Sequence, residues 1–172
     1  MSNRVRAALL ADCGSGDAMN ALYSAREKAA MLEPAFIAVG FSWDELVQLA
    51  EFMKYVEVPA GEHLFKEGDP GEYLGIIVEG TVSLVKRGPG DKMVPLEDIT
   101  KHHLVGELAL IDGEPRSASV VTKGVLKLLM LNRTSYEAIL DTRPKLGAKF
   151  MRSLAKEVCS RLRKTTGILI CH

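Results

Sequence analysis

The segment 106–120 contains the residues of this 172-residue chain whose chemistry best suits an anionic ligand. Glu107–Ile111 is long enough for about one helical turn, and the N–H groups at the start of a helix favour an anion. Arg116 follows nine residues after Glu107, so a short loop can return its side chain to that turn. Since a guanidinium binds phosphate through two parallel hydrogen bonds, the spacing predicts a phosphate site.

The same segment also contains a hydrogen-bond acceptor that does not suit a phosphate. The carboxylate of Glu107 would repel a phosphate, so we expect it to accept from a hydroxyl such as that of a ribose. Gly106 permits a close approach of the backbone, and Ser117 offers a hydroxyl and a further N–H. Anion donors and one acceptor at a fixed distance indicate a sugar phosphate as the ligand.

The elements that position these residues are predicted to be short strands. From Tyr55 onwards, apolar runs alternate with glycine-containing turns such as 59–61, 68–71 and 88–90. Many short strands at regular spacing are typical of an antiparallel sandwich or barrel, and the strand–helix alternation of a dinucleotide-binding fold is not visible. The predicted runs are 56–58, 64–65, 74–78, 81–85, 94–96, 118–121 and 126–131.

Helices are predicted on both sides of the strands. An Ala-rich stretch over 18–30 favours a helix, and Ser42 followed three residues later by Glu45 forms a capping-box pattern that predicts a second helix over about 43–54. Near the C-terminus, apolar residues that step by four predict an amphipathic helix of about five turns, followed by a short apolar tail at 167–170. Arg161 falls towards the apolar side of that helix. The apolar positions are Leu146, Phe150, Leu154, Val158 and Leu162.

Charge is distributed unevenly along the chain. Lys and Arg number 22 and Asp and Glu number 22, so the net charge is zero, which argues against a protein that coats nucleic acid or an anionic membrane. The segment 143–164 nevertheless carries eight basic residues and only Glu157 as an acid, so its net charge is +7 and the remainder is −7. With 47% hydrophobic and 26% charged residues, the composition is that of a globular domain and excludes disorder.

Cysteines and apolar runs bear on localisation. The chain has three cysteines at wide spacing, which fit neither a disulfide framework nor a zinc motif, so we expect a reduced, cytoplasmic compartment. The apolar run 7–11 ends at Asp12 after five residues, too short for a secretion signal, and no run approaches the ~20 residues of a membrane helix. The cysteines are Cys13, Cys159 and Cys171.

The histidines are predicted to be surface residues and not metal ligands. Adjacent His102 and His103 would point to opposite faces of a strand, and neither His63 nor His172 belongs to a metal-ligand spacing. We therefore expect no metal, no cofactor and, since no nucleophile–base pair is visible, no enzymatic activity.

The motifs of this chain closely resemble those of a known family. Segment 106–120 resembles the phosphate-binding cassette of the cyclic nucleotide-binding domain, a family that includes the catabolite activator protein, protein kinase A regulatory subunits and cyclic-nucleotide-gated channels. The similarity extends to 59–62, 65–71 and 78–82, and covers about residues 36–165. The sequence departs from the family pattern at Val105, where the family often has Phe, and at 101–104, which replaces a usual glycine-containing turn.

The resemblance implies a fold and a set of ligand contacts. The implied fold is mainly β with flanking helices (α+β): an eight-stranded antiparallel, jelly-roll-like β-roll over 36–142, preceded by a helical extension (1–35) and followed by an amphipathic lid helix and tail (143–172). It also implies that Arg116 binds the cyclic phosphate, Glu107 the ribose 2′-hydroxyl, and the lid helix the base. The implied ligand-binding residues are Gly106, Glu107, Leu108, Ala109, Arg116, Ser117 and Ala118.

The resulting interpretation is a stand-alone, bacterial-type regulatory sensor of a cyclic nucleotide. In the family, Thr at the position of Ser117 accompanies cGMP, whereas Ser is compatible with either nucleotide, so cAMP is favoured and cGMP stays an alternative ligand. The partners expected are an effector protein of unknown identity and a second copy bound through the C-terminal helix; no DNA-binding domain is expected, since only eight residues follow Lys164. The alternative is an interaction or dimerisation module that keeps the fold without nucleotide control, with Arg116 and Glu107 paired to each other.

Overall fold

Two four-stranded antiparallel sheets form the centre of the molecule. The computed structural model of the chain describes residues 23–170. Within that part, the predicted eight-stranded β-roll with flanking helices is confirmed. The strands are β1 Lys54–Val58, β2 His63–Phe65, β3 Tyr73–Glu79, β4 Thr81–Arg87, β5 Met93–Thr100, β6 Leu104–Val105, β7 Ser119–Thr122 and β8 Leu126–Asn132. The α-helices are α1 Ala25–Leu32, α2 Trp43–Ala50, α3 Glu107–Asp112, α4 Arg133–Thr142 and α5 Pro144–Ile170, and 3-10 helices cover Phe36–Ala38 and Pro89–Asp91.

The strand order brings the cassette to the edge of one sheet. One sheet has the order β1-β8-β3-β6 and the other β2-β7-β4-β5. The two-residue strand β6 pairs with β3 at the sheet edge, with Val105 opposite Gly75, and α3 follows it after Gly106. Strand β7, which follows the cassette, pairs with β4 and β2 in the other sheet. The cassette therefore bridges the two sheets.

The first sheet is buried on both faces, and its sequence reflects this. In β8, Leu128 and Met130 pack into a cluster formed by residues of both sheets, whereas Leu129 and Leu131 pack into a second cluster with the helices. Because successive side chains of a strand point to opposite faces, a strand buried on both faces needs a continuous apolar run. The continuous apolar part of β8, residues 128–131, meets this requirement.

The N-terminal helices begin at side-chain caps. The predicted capping box of α2 is present, with Glu45 N–H donating to the Ser42 hydroxyl, and the equivalent pair Ser24 and Glu27, which was not predicted, caps α1. Helix α2 ends at Ala50, four residues before the predicted end at 54, because the chain enters β1 at Lys54. The predicted helix over 18–30 begins in residues 1–22, which lie outside the described part.

The predicted C-terminal helix is present and is longer than expected. The C-terminal helical region is divided at Arg143, whose backbone (φ −141°, ψ 62°) precedes Pro144, a residue that disfavours the helical conformation of its predecessor. Helix α5 then runs for 27 residues, more than the predicted five turns, and includes 167–170, which was predicted as a tail. Its apolar stripe enters the helical cluster only as far as Leu154, and Leu162 is 64% exposed.

The histidines and cysteines do not form a common cluster among the described residues. His102 and His103 lie in and next to a turn, with His102 at φ 75°, so their prediction as strand neighbours is wrong. Cys159 is an exposed free thiol, whereas Cys13, Cys171 and His172 lie outside the described residues. Within residues 23–170, no helix is long and apolar enough to span a membrane.

Candidate functional site

The chain turns sharply where β6 leads into α3. Gly106 adopts a left-handed conformation (φ 76°) as the N-cap of α3. A Cβ atom at this position would lie 2.5 Å from Nη1 of Arg116 and 3.0 Å from the ring of Phe65. Both the backbone conformation and the close approach of Arg116 therefore require glycine here.

Arg116 is held by the β-roll itself. Its side chain donates through Nη1 to the Gly106 carbonyl (2.7 Å) and through Nη2 to the Tyr73 carbonyl (2.6 Å), and its guanidinium lies 4.0 Å from the ring centre of Phe65 and 4.6 Å from that of Tyr73. The residue is only 2% exposed, and burial lowers the pKa of its guanidinium.

One donor of this guanidinium has no partner in the described structure. Nε of Arg116 is buried without a hydrogen-bond partner, and a buried donor of a charged group is costly to leave unpaired. Since Nη1 and Nη2 each already donate to a carbonyl, Nε is the one nitrogen of this guanidinium that has no partner among the described residues, and an anionic ligand could accept from it.

Glu107 opens α3 and is 4% exposed. Burial raises the pKa of its carboxyl, and the positive charge of Arg161 opposes that shift. Oε1 of Glu107 accepts from Nη1 of Arg161 at 2.8 Å. The acceptor predicted for a ribose hydroxyl therefore has a cationic partner from helix α5.

Arg161 is a residue of the site that sequence reasoning did not assign to it. Its Nη2 donates to the carbonyl of Leu104, in β6, and its Nε lies 3.8 Å from Oε1 of Glu157, one turn earlier on α5. The signal in the sequence was its position on the apolar side of the helix. A charged residue there needs a buried partner, and Glu107 provides one.

The seven predicted site residues line one cavity of about 70 Å³. Arg116 and Glu107 both contribute to its wall but have different partners, so the structure does not bring them together as a mutual hydrogen-bonded pair. Leu84 and Ile99, on β4 and β5, add apolar surface. The lining residues are Phe65, Leu84, Ile99, Val105, Gly106, Glu107, Leu108, Ala109, Arg116, Ser117, Ala118, Val120 and Arg161.

A second cavity of about 350 Å³ lies between β5 and α5. Ile99 and Arg161 line both cavities, so Arg161 is part of the wall between them. The other lining residues are Leu96, Glu97, Asp98, Thr100, His103 and Lys164.

Two contacts fix the position of α3. A Cβ atom added to Gly71 would lie 1.9 Å from Cβ of Ala109, so the loop before β3 packs directly on the helix. On its other side, Arg133 donates to the carbonyl of Ala109 at 2.8 Å. Neither role was predicted, although Gly71 belongs to one of the matched family segments. Within residues 23–170, no group of three His, Cys, Asp or Glu side chains could hold a metal ion.

Comparison with known proteins gives the geometry a family context. A family model described as the cyclic nucleotide-binding domain matches residues 55–143, more than half of the chain. The matched range extends from β1 to the end of α4 and includes all seven predicted site residues.

Individual relatives agree with this match. A CRP-like cAMP-activated global transcriptional regulator of Mycobacterium tuberculosis is 29% identical over 139 residues, which cover 81% of this chain and 60% of that protein. The chain therefore spans less than two thirds of this relative. A solved cyclic nucleotide-binding domain from Methylobacillus flagellatus superimposes with a TM-score of 0.80 at 28% identity, covering 87% of this chain and 86% of that one.

A third relative is described as independent of cAMP. The regulatory subunit of a cAMP-independent protein kinase A from Trypanosoma brucei superimposes with a TM-score of 0.68 at 26% identity, covering 79% of this chain and 47% of that one. Similarity in fold therefore extends to a protein described as independent of cAMP.

Proposed function

This chain belongs to the cyclic nucleotide-binding domain family, and from that premise we propose that it is a regulatory sensor that binds cAMP in preference to cGMP. The observation that carries the proposal is the buried, unpartnered Nε of Arg116 at the wall of a cavity that also contains the acceptor Glu107. This arrangement supports a ligand that presents an anion and a hydroxyl together, as a cyclic nucleotide does.

The proposed contacts follow from this chemistry. Arg116 donates from Nε to an oxygen of the cyclic phosphate, and the backbone amides of Ala109 and Ser117 complete the phosphate contacts. Glu107 accepts from the ribose 2′-hydroxyl. Gly106 shapes the ribose end. Leu108 and Ala118 complete the set of residues that line the ligand, in keeping with their position in the cavity wall.

The preference for cAMP rests on Ser117. In the family resemblance, Thr at this position accompanies cGMP through the guanine amino group, and the absence of Thr here is the feature that favours cAMP, although the hydroxyl of Ser is compatible with either nucleotide. The alternative function is that of an interaction or dimerisation module that retains the fold without nucleotide control. The relative described as cAMP-independent is the observation that favours this alternative.

The output of the sensor is proposed to be the C-terminal helix α5. Segment 143–164 carries a net charge of +7, and Lys156, Arg163 and Lys164 are exposed on it. Movement of this helix on ligand binding would change the basic surface offered to an effector protein, in the cytoplasm. The role is regulatory, and no catalytic step is proposed.

A second copy of the chain is a proposed partner of α5. Ala148, Ala155 and Leu162 are all exposed and recur every seven residues, while Met151 and Val158 between them are only partly buried. A seven-residue repeat of apolar positions is the pattern by which two helices pair along their length. We therefore assign this stripe to a homodimer contact.

Calorimetry on the intact chain tests the proposed function. Titration with cAMP and cGMP, with 5′-AMP as an acyclic control, should give micromolar binding of cAMP, which corresponds to about 8 kcal/mol. Binding of cGMP should be weaker and that of 5′-AMP weakest. If neither cyclic nucleotide binds at concentrations of about 100 µM, well above a micromolar Kd, the alternative function is supported instead.

A further inference from the structure

The side chain of Arg161 joins the C-terminal helix to the cassette. Its Nη1 donates to Glu107 at 2.8 Å and its Nη2 donates to the Leu104 carbonyl, so the guanidinium spans the junction of β6 and α3. Glu107, its acidic partner, is the residue proposed to accept from the ribose. One carboxylate is therefore shared between a residue of α5 and the proposed ligand.

We infer that Arg161 is an affinity-determining residue that competes with the ribose hydroxyl for Glu107. This inference rests on the proposed function of the site. A hydroxyl can form a hydrogen bond to Glu107 only where the carboxylate is accessible, and the side chain of Glu107 is 5% exposed while Arg161 covers it. Because Arg161 occupies Oε1 of Glu107 and covers the carboxylate, we expect the ribose hydroxyl to bind most tightly once Arg161 has left.

The size of the cavity leads to the same conclusion. The cavity of about 70 Å³ is smaller than the cavity of about 150 Å³ that holds a benzene molecule, so a sugar phosphate bound here must extend beyond it. Every other residue lining it belongs to the β-roll, to α3 or to the loop that follows α3, and only Arg161 comes from α5. Because Arg161 also lines the cavity of about 350 Å³, its departure would open the first cavity towards the second.

A second partner for the displaced guanidinium lies one turn earlier on the same helix. Nε of Arg161 is 3.8 Å from Oε1 of Glu157, in the i, i+4 arrangement that stabilises helical ion pairs. Glu157 in turn lies 3.1 Å from Nδ1 of His103. Arg161 can therefore exchange Glu107 for Glu157 without leaving its charge unpaired. This lowers the free-energy cost of displacing Arg161, so a small ligand can displace it.

Two alanine variants on α5 test the competition. Calorimetry with cAMP should show that Arg161→Ala binds at least fivefold more tightly than the wild type. Arg163→Ala should bind as the wild type does, because Arg163 is exposed and donates only within its own helix, to the carbonyl of Cys159. If Arg161→Ala binds cAMP equally or more weakly, Arg161 orients Glu107 or contacts the ligand, and the inference is wrong.

The 2′-hydroxyl itself supplies a second measurement. With 2′-deoxy-cAMP, which lacks the group that competes for Glu107, the gain in Arg161→Ala should be clearly smaller than with cAMP. An equal gain for both ligands would contradict competition at Glu107. Arg161→Lys keeps the charge but cannot form the forked contact, so its affinity for cAMP should lie between those of the wild type and Arg161→Ala. If Arg161→Ala folds poorly, the expected result is that Arg161→Lys binds cAMP more tightly than the wild type.

Failure of the inference and failure of the proposed function give different results. If the wild type binds cAMP and Arg161→Ala shows no gain, only the inference fails. If neither protein binds a cyclic nucleotide, the proposed function fails and the inference with it. Binding by Arg161→Ala alone would support the inference but not the proposed sensor function, because the wild type would not respond to cAMP.

Discussion

Arg116 and Glu107 line the same cavity, but they are held by different parts of the molecule. Arg116 donates to the carbonyls of Gly106 and Tyr73, so its position follows the β-roll. Glu107 accepts from Arg161, so its environment follows helix α5. Of the two charged groups proposed to bind the ligand, only Glu107 would therefore change its surroundings directly if α5 moved.

The first prediction concerns Arg116. Arg116→Lys should weaken cAMP binding by about 10- to 150-fold, since a charge-assisted hydrogen bond contributes about 1.5–3 kcal/mol and lysine cannot donate to two carbonyls and a phosphate in one plane. Calorimetry gives the affinity, and thermal unfolding shows whether the fold is retained. Arg152→Ala, at an exposed position on α5, is the control and should leave affinity unchanged. Unchanged affinity in Arg116→Lys would contradict the phosphate role.

The second prediction concerns the packing of α3. Gly71→Ala places a methyl group 1.9 Å from Cβ of Ala109, so α3 must shift away from the loop before β3. We expect a loss of about 1–3 kcal/mol in the free energy of unfolding, measured with denaturant, together with weaker cAMP binding.

Gly124→Ala is the matched control for that variant. Its Cβ would have no atom within 4 Å, so its free energy of unfolding should change by no more than about 1 kcal/mol. Equal effects of the two substitutions would mean that the contact of Gly71 with Ala109 does not position the helix.

Local signals in the sequence predicted an antiparallel sandwich or barrel, and the family resemblance implied the eight-stranded β-roll. Short apolar runs, glycine turns and the Ser42 cap each act within a few residues, and the seven residues taken from the cassette motif are seven of the thirteen that line the cavity. Strand β6 was not predicted, because two residues carry no periodicity and pair only through the tertiary position of β3.

The parts that sequence reasoning missed depend on contacts between distant segments. Arg161 meets Glu107 across 54 positions, and the pattern of α5 alone gave only its anomalous position on the apolar side. The exposure of Leu162 has a similar origin, since a helical repeat predicts an apolar stripe but not where the neighbouring core ends. Partners for a stripe are set by tertiary structure and not by the stripe itself.

The third prediction concerns pH. His63 is partly buried with an unpartnered Nδ1, and burial, with a contribution from the charge of Lys66, lowers the pKa of its ring; Glu62 and Asp69 oppose this. The unfolded chain, with an ordinary pKa of about 6.5, then takes up a proton more readily than the folded one, so stability falls as pH decreases through that value.

Replacement of His63 should remove that part of the pH dependence. The Tm of His63→Gln should fall less than that of the wild type between about pH 7 and pH 5, the range around the ordinary histidine pKa. At about pH 8, His63 is unprotonated in both the folded and the unfolded wild type. The difference in Tm between the wild type and His63→Gln at that pH therefore serves as the reference for the differences measured at lower pH. Parallel Tm curves for the two proteins would show that His63 does not contribute.

The fourth prediction concerns the homodimer. Leu162→Glu places a charge on the exposed seven-residue stripe of α5 and should convert a dimer into a monomer in sedimentation equilibrium. Val125→Glu changes an apolar residue of similar exposure in the turn before β8 and should leave the mass unchanged. A wild-type chain that is monomeric at all concentrations tested would contradict the proposed contact.

The fifth prediction separates the competition of Arg161 from the role of α5 as a lid. Removing the chain from Arg143 onwards would not test the lid, because Leu146, Phe150 and Leu154 belong to the core. A chain ending at 160 keeps those contacts and loses Arg161 together with Lys164, which lines the second cavity.

Both this truncated chain and Arg161→Ala lack the proposed competitor, so their difference in affinity measures what the rest of the helix end contributes. If the second cavity receives the base, the truncated chain should bind cAMP roughly tenfold more weakly than Arg161→Ala, a difference of about 1.4 kcal/mol. Lys164→Ala in the Arg161→Ala background should reproduce part of that loss, because Lys164 is a described residue of the removed segment that lines this cavity. Equal affinities of the truncated chain and Arg161→Ala would instead place base recognition within the β-roll, since no residue after 160 would then contribute to binding.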